Sequence, residues 1–102
     1  MTKDPQITAA VKEILDLIKN ISPGKSVELR VPPYGAIQCV AGSNHRSGTP
    51  PNTVEMSGQT LIRLINEPSL WSDLCESGEI RPSGLLSDLS NVLAQAAEKY
   101  RA

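Results

Sequence analysis

Residues 26–40 read Ser26-Val27-Glu28-Leu29-Arg30-Val31-Pro32-Pro33-Tyr34-Gly35-Ala36-Ile37-Gln38-Cys39-Val40. Val27, Leu29 and Val31 fall on alternate positions with Glu28 and Arg30 between them, the period of a strand with one buried and one wet face. Pro32 and Pro33 remove two backbone donors and Tyr34-Gly35 completes a turn, so the chain reverses there. Ala36 to Val40 then reads as a second strand, with Ile37 and Cys39 on the side away from Gln38. The stretch predicts a hairpin, and a hairpin with one apolar face needs a second layer to cover it.

Both flanks supply that layer. Upstream, Ile7, Ala10, Val11, Ile14, Leu15, Ile18 and Ile21 recur at spacings of three and four and predict a helix from Pro5 to Asn20. Asp4 suits the cap, Pro5 the first helical position, and Ser22-Pro23-Gly24 ends the pattern. Downstream, Val54 and Met56 alternate with Thr53 and Glu55 as a third strand. Ser57 caps a helix carrying Leu61, Ile62, Leu64 and Ile65 that stops before Pro68. Ser69 is expected to cap a shorter helix with Leu70, Trp71, Leu74 and Cys75 inward, ended by Gly78 in a left-handed conformation. Glu79 to Arg81 predicts a fourth strand that Pro82 confines to an edge. Leu86 to Tyr100 predicts a final helix with Leu89, Leu93, Ala96, Ala97 and Tyr100 along one side. Val27, Leu29, Val31, Ile37, Cys39, Val54 and Met56 should then share one sheet face under the helices.

Composition narrows the class. A chain of 102 residues, 39% hydrophobic, is expected to form one domain over residues 1–102, because two cores would each be too small to bury enough apolar surface. Ten basic against eleven acidic side chains leave a net charge of -1, with no field to draw in a phosphate backbone. Three aromatic residues and no Phe provide few platforms for stacking bases, so nucleic acid is excluded as the expected partner. Cys39 and Cys75 are too few for a disulfide framework, which points to a reduced, cytoplasmic compartment. Lys12, Glu13, Asp16 and Lys19 in the first helix argue against a signal segment or a stable membrane insertion.

The densest set of polar donors is the loop Gly42-Ser43-Asn44-His45-Arg46-Ser47-Gly48-Thr49-Pro50-Pro51. Arg46 as a planar fork, with His45 and Asn44 beside it, would hold a carboxylate or phosphate; the same residues would equally solvate a surface turn. His45 is the only histidine, and Cys39 lies in an apolar run with no carboxylate to orient the ring, so no catalytic group is assigned. One His and two distant Cys cannot supply a metal site by local spacing, and no cofactor is implied. Arg30 and Gln38, on the polar faces of their strands, would either grip the polar end of a ligand or make cross-strand contacts with Glu28 or Glu55. Met56, Leu61, Leu64, Ile65, Leu70, Trp71 and Leu74 are either core or cavity lining, a difference of volume that sequence does not carry.

From Val27 to Asn52 the run VELRVPPYGAIQCVAGSNHRSGTPPN resembles small actinobacterial proteins described as sterol carrier family proteins. From Thr53 to Leu93 the order of elements is similar to the C-terminal half of sterol-carrier-protein-type lipid-binding domains. The resemblance implies an α/β domain of the α+β type, with a mostly antiparallel sheet of four to five strands and helices packed on one face. It also implies an apolar cavity between the layers for a fatty-acid- or sterol-like molecule. In that reading Met56, Leu61, Trp71, Leu89 and Leu93 line the cavity, Arg30, Gln38, Asn44, His45 and Arg46 face the ligand's polar end, and the final helix gates access. Related domains follow a helical-bundle domain in mycothiol-dependent maleylpyruvate isomerase-like proteins. The alternative expectation is therefore an accessory role to such an enzyme, with Arg30, Asn44, His45 and Arg46 toward the partner. A homodimer is also compatible with the resemblance.

Overall fold

The computed structural model describes residues 3–42 and 52–102. The expected anion-binding residues Asn44, His45 and Arg46 lie outside the described residues, as does most of their loop.

Helix α1 spans Pro5–Ile21. The Asp4 carboxylate accepts from the Gln6 N–H at 2.9 Å, satisfying a donor the first turn leaves free. Val11, Ile14, Leu15 and Ile18 form its buried stripe. The hairpin follows as β1 (Val27–Val31) and β2 (Gly35–Cys39), antiparallel, with Leu29 opposite Ile37. The second strand starts and ends one residue before the expected bounds. Val40 leaves the ladder at φ 67°, donating its N–H to the Ser22 carbonyl and accepting from the Ser26 N–H.

Strand β3 (Asn52–Met56) lies parallel to β1, and β4 (Ile80–Ser83) antiparallel to β3, giving the order β2-β1-β3-β4. Two of the three pairings are antiparallel, so the sheet is mixed rather than purely antiparallel. Pro82 sits on an edge strand, where its missing N–H is tolerated. Between β3 and β4 run α2 (Gly58–Asn66), a 3-10 turn (Pro68–Leu70) and α3 (Trp71–Glu76). The Ser57 hydroxyl accepts from the Thr60 N–H at 3.1 Å and caps α2 as expected. Ser69 does not cap α3; it falls inside the 3-10 turn, and α3 begins with no side-chain cap. Pro68 and Glu67 start the turn before Ser69 is reached. Gly78, at φ 85°, follows α3 in the left-handed conformation.

The last helix, α4 (Ser90–Arg101), begins four residues later than the apolar period suggests. Residues 84–89 form a turn instead, for reasons that concern the candidate site.

One sheet face carries Val27, Leu29, Val31, Cys39, Val54, Met56 and Ile80, all buried, with Ile37 partly so. Leu61, Leu64 and Ile65 from α2, Trp71 and Leu74 from α3, and Leu93, Ala96 and Ala97 from α4 join the α1 stripe above it. The opposite face carries Glu28, Arg30, Gln38 and Glu55 and has no layer over it among the described residues. Alternation in β1 and β3 is the physical cause, because successive side chains point to opposite sides. Tyr34, projecting from the Pro-Pro turn, ties the hairpin to the helices: its hydroxyl accepts from the Asp4 N–H at 3.3 Å. Its ring lies so close to Gly58 that a Cβ there would stand 2.8 Å from Tyr34 Cε2.

Candidate functional site

The interior between sheet and helices is the place where the expected apolar set meets. Met56 enters from β3, Leu61 from α2, Trp71 from the start of α3, and Leu89 and Leu93 from the approach to α4 and its first turn. All five belong to one buried cluster; Trp71, at 8% exposure, is the least covered.

Arg30 and Gln38 do not join them. Both lie on the uncovered face of the sheet, separated from the apolar set by the strands themselves. Arg30 Nε donates to Glu28 Oε1 two residues away on the same strand, and Arg81 pairs with Glu55 across β3 and β4 at 2.9 Å. These exposed ion pairs organise the polar face without burying charge.

Surface depressions lie around the described residues. One, about 570 Å³, lies on the uncovered face and is lined by Arg30, Pro32, Pro33, Gly35, Ala36 and Glu55. Another, about 500 Å³, is bounded by Met56, Ser57, Thr60, Glu79 and Arg81 among others. Two more lie along α1 and beside Tyr34. Leu61, Trp71, Leu89 and Leu93 line none of these.

The thiols are poor nucleophiles at neutral pH. Burial pushes Cys39 up to about 11, and partial burial with the nearby Asp88 charge also raises Cys75. Both stay protonated, and it is the thiolate that attacks. Among the described residues no three His, Cys, Asp or Glu side chains cluster to hold a metal ion.

A residue that sequence reasoning passed over organises the rim. Asn52, 5% exposed at the start of β3, donates through Nδ2 to the Ser26 carbonyl at 2.9 Å and accepts at Oδ1 from the Leu86 N–H at 3.0 Å. It clamps the turn that precedes α4 onto β1. The second of these bonds gives the Leu86 N–H a partner outside the helical ladder. The only advance signal was that Asn52 shares the alternation of Val54 and Met56, which places an amide on the inward face at the start of β3. Asn52→Ala leaves both backbone groups without these partners and should cost about 1–3 kcal/mol. Thermal melting would register the loss, and faster hydrogen exchange at the Leu86 amide would locate it.

In structure the chain is similar to "UbiJ-SCP2 Ubiquinone synthesis protein", with a TM-score of 0.56 at 16% identity over 100% of this chain and 98% of that one. At this identity the likeness concerns the fold, which is SCP2-like. No curated protein matches the sequence. The family model described as bacterial SCP ortholog matches residues 3–94. That match spans α1, all four strands and the first turn of α4, and the chain therefore belongs to the bacterial SCP ortholog family.

Proposed function

We propose that the protein binds a hydrophobic small molecule, of fatty-acid or sterol-like chemistry, between its sheet and its helical layer, and that it catalyses no reaction itself. Membership of the bacterial SCP ortholog family over residues 3–94 carries the reading. One structural relative is named as a ubiquinone synthesis protein. The packing is compatible with the reading, since the sheet and the helices meet in one buried apolar cluster to which α4 contributes Leu93, Ala96 and Ala97.

Energetics set the expected strength. Covering roughly 200 Å² of ligand surface at about 25 cal/mol/Å² yields a gross gain near 5 kcal/mol. Parting α4 from α1 and α2 opposes it, so affinity should be modest and discrimination among lipids low.

Titration with fluorescent fatty-acid and sterol analogues tests the reading. The full chain should bind saturably, and Leu93→Trp, which fills the interior, should weaken binding by about tenfold, equivalent to about 1.4 kcal/mol. A melting curve on the variant confirms that it remains folded. Absence of saturable binding to the full chain would overturn the proposal and bring forward the accessory role in which Arg30, Asn44, His45 and Arg46 face an enzyme.

A further inference from the structure

The depression of about 500 Å³ is bordered by Met56, which has no exposed surface and belongs to the buried apolar cluster. It lies at the end of β3 away from Asn52, between the first turn of α2 and the Ser77-Gly78-Glu79 segment that leads into β4. The thioether of Met56 is unbranched and flexible, so a chain entering here displaces a side chain that repacks readily. The rim is polar, and its charges are already matched. Arg81 Nη2 donates to Glu55 Oε2 at 2.9 Å and Nη1 to the Gly78 carbonyl at 3.3 Å. Arg63 Nη1 donates to Glu79 Oε1 at 3.2 Å, and the Ser77 hydroxyl donates to Glu79 Oε2 at 3.0 Å. Thr60, 4% exposed, adds a hydroxyl fixed by its bond with Ser57 at 3.0 Å.

We infer that this depression receives the polar head of the ligand, with the tail passing inward at Met56, and that the head is a neutral hydroxyl rather than a carboxylate or an ammonium. The inference rests on the hydrophobic-ligand reading above and names its substrate class. Two carboxylates, Glu55 and Glu79, each hold a guanidinium, Arg81 and Arg63. A carboxylate head would reach Arg81 only by displacing Glu55, and would then lie beside an unpaired like charge. An ammonium head would draw Glu55 or Glu79 from its guanidinium and leave that cation unpaired in turn. A hydroxyl forces neither exchange. An ionised carboxylate has about four lone-pair sites, more than the bonds above fill, so a hydroxyl can donate to Glu55 or Glu79 with both ion pairs intact. A hydrogen bond to a charged acceptor is also stronger than one between neutral groups. Met56 beneath and the carboxylate oxygens above thus match an amphiphile with an apolar body and one alcohol.

Long-chain fluorescent probes with identical tails and a hydroxyl, carboxylate or ammonium head, titrated into the full chain at neutral pH, test the inference. The alcohol should bind about tenfold more tightly than either charged probe, equivalent to about 1.4 kcal/mol. Glu55→Gln keeps the shape of the side chain, removes its charge and leaves Arg81 for the carboxylate head, so the preference for alcohol over acid should fall to near unity. Glu98→Gln removes the same charge from an exposed position on α4, outside the depression, and should leave the preference as it was. An acid that binds the unaltered chain as tightly as the alcohol would overturn the inference while the hydrophobic-ligand reading stands. So would an ammonium probe that binds most tightly, which would mean that the carboxylates act as unpaired charges. A preference for the alcohol that Glu55→Gln does not change would place the head elsewhere and overturn the assignment of this depression. Saturable binding of none of the three probes would sink the hydrophobic-ligand reading and the inference with it.

Discussion

Leu29→Ala is expected to lower the stability of the protein by about 2–5 kcal/mol, the range for a large side chain removed from a packed interior. Leu29 has no exposed surface. It lies at the centre of β1, the strand paired on both sides, with Ile37 opposite in β2 and Val54 opposite in β3. Neighbours on two strands cannot both move in to fill the gap, so the cavity should persist and the cost should fall in the upper half of the range. For a chain of this size each kcal/mol shifts the melting temperature by about 4–8 °C. A calorimetric scan showing a fall of less than about 5 °C would contradict the packing described.

Gly24→Ala should be at least as damaging, for a different reason. A Cβ on Gly24 would stand 2.1 Å from the Val40 carbonyl oxygen and 2.3 Å from its carbon, at a backbone φ of 153°. The obstructing atoms are main chain and cannot rotate aside. The Val40 peptide is itself fixed, its N–H on Ser22 and its carbonyl on the Ser26 N–H. Relief therefore means breaking the connection that seats the end of β2 beside the start of β1. Backbone strain of about 1–3 kcal/mol and two hydrogen bonds at about 1 kcal/mol each give roughly 3–5 kcal/mol. Gly78→Ala is the matched control: φ is 85° but no atom lies within 4 Å of the added Cβ, leaving only left-handed strain of about 1–2 kcal/mol. Equal melting temperatures for the two variants would show that the close approach to Val40 carries no weight.

The two glycines illustrate what a sequence can convey. Gly78 was legible, because a glycine after a short apolar helical run marks a left-handed stop and only local geometry is involved. Gly24 was legible as the end of α1 but not as a contact, since its critical neighbour, Val40, is sixteen positions away. The candidate site divides in the same way. Strand alternation correctly put Met56 beneath the helices and Arg30 and Gln38 on the wet face. Alternation left open which of Glu28 and Glu55 Arg30 would take: it turned to Glu28, while Glu55 took Arg81 from β4.

By itself the sequence determined the period of β1, the apolar stripe and cap of α1, the Pro-Pro reversal and the Ser57 cap. Each rests on interactions within a few residues of chain. Tertiary structure alone decided that β3 inserts between β1 and β4, making the one parallel pairing. Strand order depends on which apolar faces meet after collapse, and residues far apart settle it. It also decided the start of α4. Leu86, Leu89 and Leu93 have helical spacing, yet Leu86 stays in a turn, where Gly84 is left-handed, the Ser87 hydroxyl and N–H both close on the Gly84 carbonyl, and Asn52, thirty-four residues earlier, takes the Leu86 N–H. Asn52 lies in another strand, so no spacing within residues 86–100 announces that bond.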